Sequence, residues 1–250
     1  MTPQGAFTEL ARTGGRGALV TVLEGSAAGA KLLVGADGTR TGSLGDPALD
    51  EEAAGHAEEL MWAERSERRG ELFVDVTFPP PRLIVCGAVD FAAALCRMAT
   101  ASGWRAFVVD PRARFAQPAR FPDAEEVVAA WPEEAFGRLG GIDRATAIAV
   151  LTHDPKLDDA ALVLALRSDA GYIGAMGSRR AQAKRRERLL AKGIDEGDLE
   201  RISAPIGLDL GALTAEETAL SIMAEIIAMR HGRTGGRLTQ ASGRIHEVGV

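Results

Sequence analysis

Leu83-Ile84-Val85-Cys86-Gly87 and, downstream, Arg105-Ala106-Phe107-Val108-Val109-Asp110 are the stretches that decide the fold. The first has no polar side chain before its glycine, the pattern of a strand buried on both faces of a parallel sheet. A helical segment over 90–102 follows and stops at Gly103, a residue suited to the left-handed end of a helix. Pro111 halts the second strand. A third strand is expected over 145–152, a helix over 157–167 and another strand over 170–173. Strand and helix alternating at this spacing predict a doubly wound, Rossmann-like parallel α/β sheet over 83–232. The last helix starts at a capping box of Thr214 and Glu217 and ends before Gly232. Ala219, Ile222, Met223, Ile226 and Ile227 form its apolar stripe, which reads equally as core or as a homodimer face. The segment 233–250 is rich in Gly, Arg and Thr and reads as a loose tail.

Upstream the rhythm differs. Residues 17–34 hold two apolar runs around a Gly/Ser/Ala turn, which predicts a hairpin. Asp37-Gly38 marks another turn and 42–47 a loop. A helix is expected over 47–66 and a closing strand over 72–76. Pro79-Pro80-Pro81 continues neither a ladder nor a helix. The expected organisation is therefore a smaller N-terminal α/β domain (1–78), a Pro-rich linker (79–82) and the Rossmann-like domain (83–232).

Composition narrows the function. The chain has 250 residues, a formal net charge of −6 and two cysteines, Cys86 and Cys96. An acidic chain lacks the basic balance with which nucleic-acid binders neutralise phosphates. No apolar run approaches the ~18 residues of a membrane span, and no signal-peptide pattern opens the sequence. Two cysteines exclude a disulfide framework and read as core filler, and a cytoplasmic location is expected. There is no G-x-S-x-G elbow, H-E-x-x-H helix or Walker A loop, so no catalytic or metal-ligating residue is assigned.

In open α/β sheets ligands bind beyond the carboxyl ends of the strands. At the first such end a dinucleotide-binding sheet carries G-x-G-x-x-G, whereas this chain reads Gly87-Ala88-Val89-Asp90-Phe91-Ala92. Val89 replaces the glycine that admits a pyrophosphate. Asp90 would repel one by roughly 4 kcal/mol at ~4 Å and an effective dielectric near 20, unless a cation intervenes. A standard NAD(P) site is therefore disfavoured. Asp90 reads as a helix N-cap or a ligand contact, and Asp110 as a ribose acceptor or the start of a turn. Thr152-His153-Asp154 ends the third strand, where His and Asp either exchange protons and hold a polar ligand or simply make a turn. Asp158 and Asp159 complement the dipole of the helix that follows.

The next strand end is the richest. Tyr172-Ile173-Gly174-Ala175-Met176-Gly177-Ser178-Arg179-Arg180 joins strand to helix through two glycines. Ser178 is a suitable N-cap, and the N–H groups after it, with Arg179 and Arg180, make an anion cradle. Lys184, Arg185, Arg186 and Arg188 continue the positive segment and read as a solvated face. Pro205-Ile206-Gly207-Leu208-Asp209-Leu210-Gly211 either closes over a ligand or packs the last helix.

These segments, together with Gly42-Ser43-Leu44-Gly45, Val109-Asp110-Pro111-Arg112, Phe115-Ala116, Arg120-Phe121-Pro122, Leu151-Thr152-His153-Asp154 and Ala224-Glu225-Ile226-Ile227-Ala228, resemble the XdhC/CoxI family of xanthine dehydrogenase accessory proteins. The resemblance runs from about Val20 to Arg230. It implies a small N-terminal domain, a Rossmann-like domain, and a chaperone that carries molybdenum cofactor (molybdopterin) as cargo. Its partners would be a cysteine desulfurase, which supplies a terminal sulfur, and a xanthine dehydrogenase-type apo-enzyme. Cofactor contacts are then expected at Gly87, Asp90, Asp110, Arg112, His153, Asp154, Gly174, Gly177, Ser178, Arg179, Arg180, Gly207 and Asp209. Two departures stand out. The family's G-A-G-H-V-G-like loop is here Gly87 to Ala92, and its G-S-I-G-G-G-C-like loop is here Gly42 to Pro47, without the cysteine. An NAD(P)-dependent oxidoreductase and a non-catalytic docking scaffold are the alternatives.

Overall fold

The structure is a computed structural model that describes residues 1–241. Two compact units divide it, Met1–Pro79 and Pro80–Ala241. The expected tail falls partly outside the described residues. Of the part described, 233–241 is exposed apart from its local turns.

The first unit is a five-stranded antiparallel sheet of β1 (Gly17–Val22), β2 (Lys31–Gly35), β3 (Arg40–Ser43), β4 (Glu67–Arg69) and β5 (Leu72–Thr77), in the order β3-β2-β1-β5-β4. Helix α2 (Pro47–Ala63) lays Ala53, Ala57, Leu60 and Met61 on Val20, Val34 and Val74. Helix α1 (Pro3–Arg12), absent from the sequence reading, covers Leu19 and Leu33 with Phe7. Helix α2 stops three residues earlier than the predicted Ser66 because Glu64 turns left-handed, at φ 53°. Buried Arg16 bonds the Met61 carbonyl (2.9 Å) and the Glu64 carboxylate (2.8 Å), satisfying that helix end.

The second unit is a six-stranded parallel sheet. In chain order its elements are β6 (Arg82–Cys86), α3 (Asp90–Ala101), β7 (Arg105–Val109), β8 (Glu126–Val128), α4 (Pro132–Arg138), β9 (Thr146–Val150), α5 (Pro155–Leu166), β10 (Tyr172–Ala175), α6 (Arg179–Ala191), α7 (Glu196–Leu199), β11 (Ile202–Ser203) and α8 (Ala215–Arg230). The strand order β11-β10-β9-β6-β7-β8 is that of a Rossmann sheet, whose topological switch lies between β6 and β9.

Successive residues of a strand face opposite sides, and β6 uses both. Leu83 and Val85 pack with Leu95 and Ala99 of α3 and with Ile222 and Ile226 of α8. Ile84 and Cys86 pack with Leu162 and Ala165 of α5 and Leu189 of α6. Most of the stripe on α8 is therefore core, although Ile227 is exposed. Cys86 and Cys96 are buried free thiols, and burial raises the Cys96 pKa to about 12. Strand β10 lies two residues later than predicted, which places Gly174 inside the sheet. Among the described residues no helix is long and apolar enough to cross a membrane.

Candidate functional site

The turn from β6 to α3 is internally committed. Gly87, at φ 113°, approaches Thr152 so closely that a Cβ would sit 3.0 Å from its backbone nitrogen. The Gly87 N–H bonds the Val109 carbonyl at 2.8 Å, and the Ala88 N–H bonds Asp110 Oδ2 at 2.8 Å. Asp90 is not the N-cap expected from the sequence. Val89 holds that position without a side-chain bond, and Asp90 is the first helical residue. Asp90 is 95% exposed and pairs with Arg120 at 3.1 Å. Arg120 also donates to the Ala88 and Phe115 carbonyls, so it is the cation that offsets the Asp90 charge.

Asp110 is fully buried and has no free face. Arg112 grips it with Nε (2.9 Å) and Nη2 (2.7 Å), and the Arg112 N–H adds a third bond (2.9 Å). Burial alone would raise the Asp110 pKa. The guanidinium and two N–H donors outweigh that and hold it below the ordinary 3.8. A carboxylate so engaged cannot accept from a ribose diol unless Arg112 leaves. Arg112 and Arg114 flank the Phe115 ring, at 4.7 and 4.5 Å from its centroid.

After β9, Asp154 is the N-cap of α5, accepting from the Lys156 N–H at 2.9 Å, so the turn reading accounts for its position. His153 is exposed. Asp158 and Asp159, expected to complement the dipole of α5, are both buried. Each meets an arginine of α6, which corrects the expectation of a solvated face for Arg185 and Arg188, whereas Lys184 and Arg186 are exposed. Arg185 Nη2 lies 2.8 Å from Asp158 Oδ2, and Arg188 grips both oxygens of Asp159. Arg186 pairs with Glu196. Burial lifts the Asp158 pKa above the ordinary carboxylate value despite Arg185 and Thr152.

The turn from β10 to α6 is the opposite case. Ser178 caps α6, accepting from the Ala181 N–H at 3.3 Å, as its sequence position implied. Gly177 adopts φ 133°, a left-handed value that favours glycine. The N–H groups of Gly177, Ser178, Arg179 and Arg180 have no acceptor among the described residues. Arg179 and Arg180 are exposed and form no ion pair there. The first turn of α6 has no acidic residue. Cations at a helix N-terminus oppose its dipole at about 0.3–1 kcal/mol each, and a bound anion reverses that sign. A cavity of ≈ 220 Å³ runs along the side of α6, lined by Arg185 and Arg186 and not by Arg179 or Arg180.

Gly174 and Gly207 serve packing. A Cβ on Gly174 would lie 2.5 Å from Ile206, and one on Gly207 would lie 2.5 Å from the Ser221 hydroxyl. Glu225 of α8 accepts from the Tyr172 hydroxyl and from the Gly207 N–H (2.8 Å), and Ser221 donates to the Leu208 carbonyl (2.5 Å). The 205–211 loop thus packs on the last helix, and Asp209 on it is exposed. Among the described residues no group of three or more His, Cys, Asp or Glu side chains is placed to hold a metal.

Sequence reasoning singled out neither Gln182 nor the role of Glu225. Gln182 Nε2 donates to the Ala175 (3.3 Å) and Gly177 (3.2 Å) carbonyls. A polar residue one turn into a basic helix carries no signal of that reach. Glu225, the single acid in the Ala224–Ala228 stretch of α8, could have been suspected.

Comparison with known proteins bears on these features. A family model described as the XdhC Rossmann domain matches residues 83–226, and one for the XdhC and CoxI family matches residues 10–72. A probable xanthine dehydrogenase subunit of Bacillus subtilis (strain 168) is 31% identical over 64% of this chain and 46% of its own length. The uncharacterized protein YqeB of Escherichia coli (strain K12) is 26% identical over 85% of this chain and 42% of its own length. The molybdenum cofactor insertion chaperone PaoD of Escherichia coli (strain K12) is 34% identical over 36% of this chain and 28% of its own length. The chain thus spans less than half the length of these curated relatives. A solved structure described as a xanthine dehydrogenase from Bacillus halodurans shares the fold, with a TM-score of 0.62 and 24% identity over 90% of this chain and 65% of its own. With both of its units matched by models of one family, this chain belongs to the XdhC and CoxI family.

Proposed function

We propose that the chain is an accessory protein of a xanthine dehydrogenase-type molybdenum hydroxylase. In this reading it holds molybdenum cofactor as cargo while a cysteine desulfurase supplies the terminal sulfur, then passes it to the apo-enzyme in the cytoplasm. Family membership supports the accessory role, and the similarity to a cofactor insertion chaperone supports the cargo. The observation that carries the chemistry is the open β10–α6 turn. The N–H groups of that turn and the guanidinium groups of Arg179 and Arg180, without partners among the described residues, belong to the start of α6, where the helix dipole favours an anion, and molybdopterin ends in a phosphate. Each charge-assisted hydrogen bond contributes roughly 1.5–3 kcal/mol, so a few suffice for reversible carriage.

The oxidoreductase reading loses support at Asp110. The acceptor that a dinucleotide ribose needs is already held by Arg112 and Ala88. The test is retention. Purified chain mixed with the cofactor and passed through a desalting column keeps it, and Arg179→Glu/Arg180→Glu does not. Equal retention by the double variant removes the cradle from the account. A saturable response to NADH by the unaltered chain favours the oxidoreductase instead.

A further inference from the structure

Three successive carbonyls of the β10–α6 turn are held from one side by two residues of α6. Gln182 donates to Ala175 and Gly177, and Arg185 donates to Met176 between them, at 2.9 Å. The two residues are joined to each other, Arg185 Nη1 donating to Gln182 Oε1. Arg185 is in turn fixed by Asp158 on α5. A peptide unit whose carbonyl is tied inward must direct the N–H across the same unit to the other side. Tying Met176 and Gly177 through their carbonyls therefore orients the N–H groups of Gly177 and Ser178, which have no acceptor among the described residues. Gly177 is needed within this arrangement, since a Cβ there would sit 3.3 Å from Ala181 and 3.4 Å from Gln182 Nε2 at an already left-handed φ.

We propose that Gln182 and Arg185 are positioning residues of the anion cradle, which fix the direction of its N–H donors through the turn's carbonyls and do not touch the anion. The inference rests on the reading of this turn as the anion site. It separates the arginines of α6 into two kinds. Arg179 and Arg180 supply charge to a ligand. The charge of Arg185 is already met by Asp158, and its work is geometric.

Inorganic pyrophosphate is the probe, titrated calorimetrically into the full chain at several salt concentrations. Gln182→Met keeps bulk and net charge and removes both amide donors. It is expected to weaken pyrophosphate about tenfold while the unfolding midpoint and the salt dependence of log Kd stay those of the unaltered chain. Arg185→Lys keeps the charge opposite Asp158 but not the fork, and is expected to weaken binding several-fold, again with the salt slope unchanged. Arg179→Ala/Arg180→Ala weakens binding and flattens the slope, because charges that neutralise the ligand are gone. Unchanged affinity in Gln182→Met, with the arginine pair still sensitive, overturns the positioning role and leaves the cradle standing. A flattened slope in Gln182→Met or Arg185→Lys also overturns it, as does loss of affinity only in step with a fallen unfolding midpoint. Failure of the unaltered chain to bind pyrophosphate overturns both the positioning role and the cradle.

Discussion

Two strand-to-helix turns stand on the same edge of one parallel sheet, and they handle their donors differently. At β6–α3, where a Rossmann sheet ordinarily receives a pyrophosphate, the N–H groups of Gly87 and Ala88 go to Val109 and Asp110, and the Asp90 charge goes to Arg120. At β10–α6, the N–H groups of Gly177 to Arg180 and the charges of Arg179 and Arg180 have no partner among the described residues. A ligand must replace what it displaces. At the first turn an anion would have to break charge-assisted bonds, and at the second it breaks none. On the proposed reading the anion is therefore received at the second turn and not at the usual place.

Variants that break or sharpen this contrast can be ranked. Arg185→Met strands Asp158 in the interior as an uncompensated carboxylate and removes the support of the second turn. It is expected to cost about 3–5 kcal/mol in chemical denaturation. Arg179→Glu/Arg180→Glu leaves the fold intact and replaces attraction by repulsion. Affinity for pyrophosphate is expected to fall at least ~100-fold, which is roughly 3 kcal/mol.

Asp110→Asn tests the closed turn and is expected to cost roughly 2 kcal/mol, because bonds to a buried charge are weakened. Its pH dependence has a definite sign. The folded-state pKa of Asp110 lies below 3.8, so the stabilisation is complete above that value and is lost as pH falls through the folded pKa. Between pH 7 and pH 3 the unaltered chain should therefore lose more stability than the variant, as thermal melts would register. Tyr172→Phe removes one donor from Glu225 while the Gly207 N–H remains, and about 1 kcal/mol is expected, with faster amide exchange in the 205–211 loop. The smallest effect is the most diagnostic. Val89→Gly/Asp90→Ala restores room at the first turn, yet no NADH fluorescence response is expected, because Arg112 still occupies Asp110. A saturable response there would erase the contrast.

Legibility in the sequence followed the strength of each physical signal. The strands around Ile84, Phe107 and Ile148 were readable because a strand buried on both faces is an unbroken apolar run after its first residue. The capping box of α8 and the Ser178 cap were readable because N-terminal N–H groups demand an acceptor at a fixed spacing. Strands β8 and β11 were not, since Glu126-Val127-Val128 and Ile202-Ser203 are too short to show a period. Helix α1 escaped notice as well. Its buried contribution is Phe7 alone, and one residue makes no stripe. Among the candidate residues, Gly174 and Gly207 lie where Ile206 and Ser221 approach too closely for a Cβ, a long-range contact that sequence spacing does not show.

By itself the sequence determined the parallel sheet, the capped starts of α6 and α8 and the family pattern, because these depend on local periodicity and on side chains close in the chain. Only the tertiary structure decided which charges are available. Arg179, Arg180, Arg185 and Arg188 are chemically alike along the chain. The rotation of α6 against α5 turns Arg185 and Arg188 onto Asp158 and Asp159 and leaves Arg179 and Arg180 outward. A cation's freedom depends on whether an anion distant in sequence lies within about 3 Å of it, and packing sets that distance.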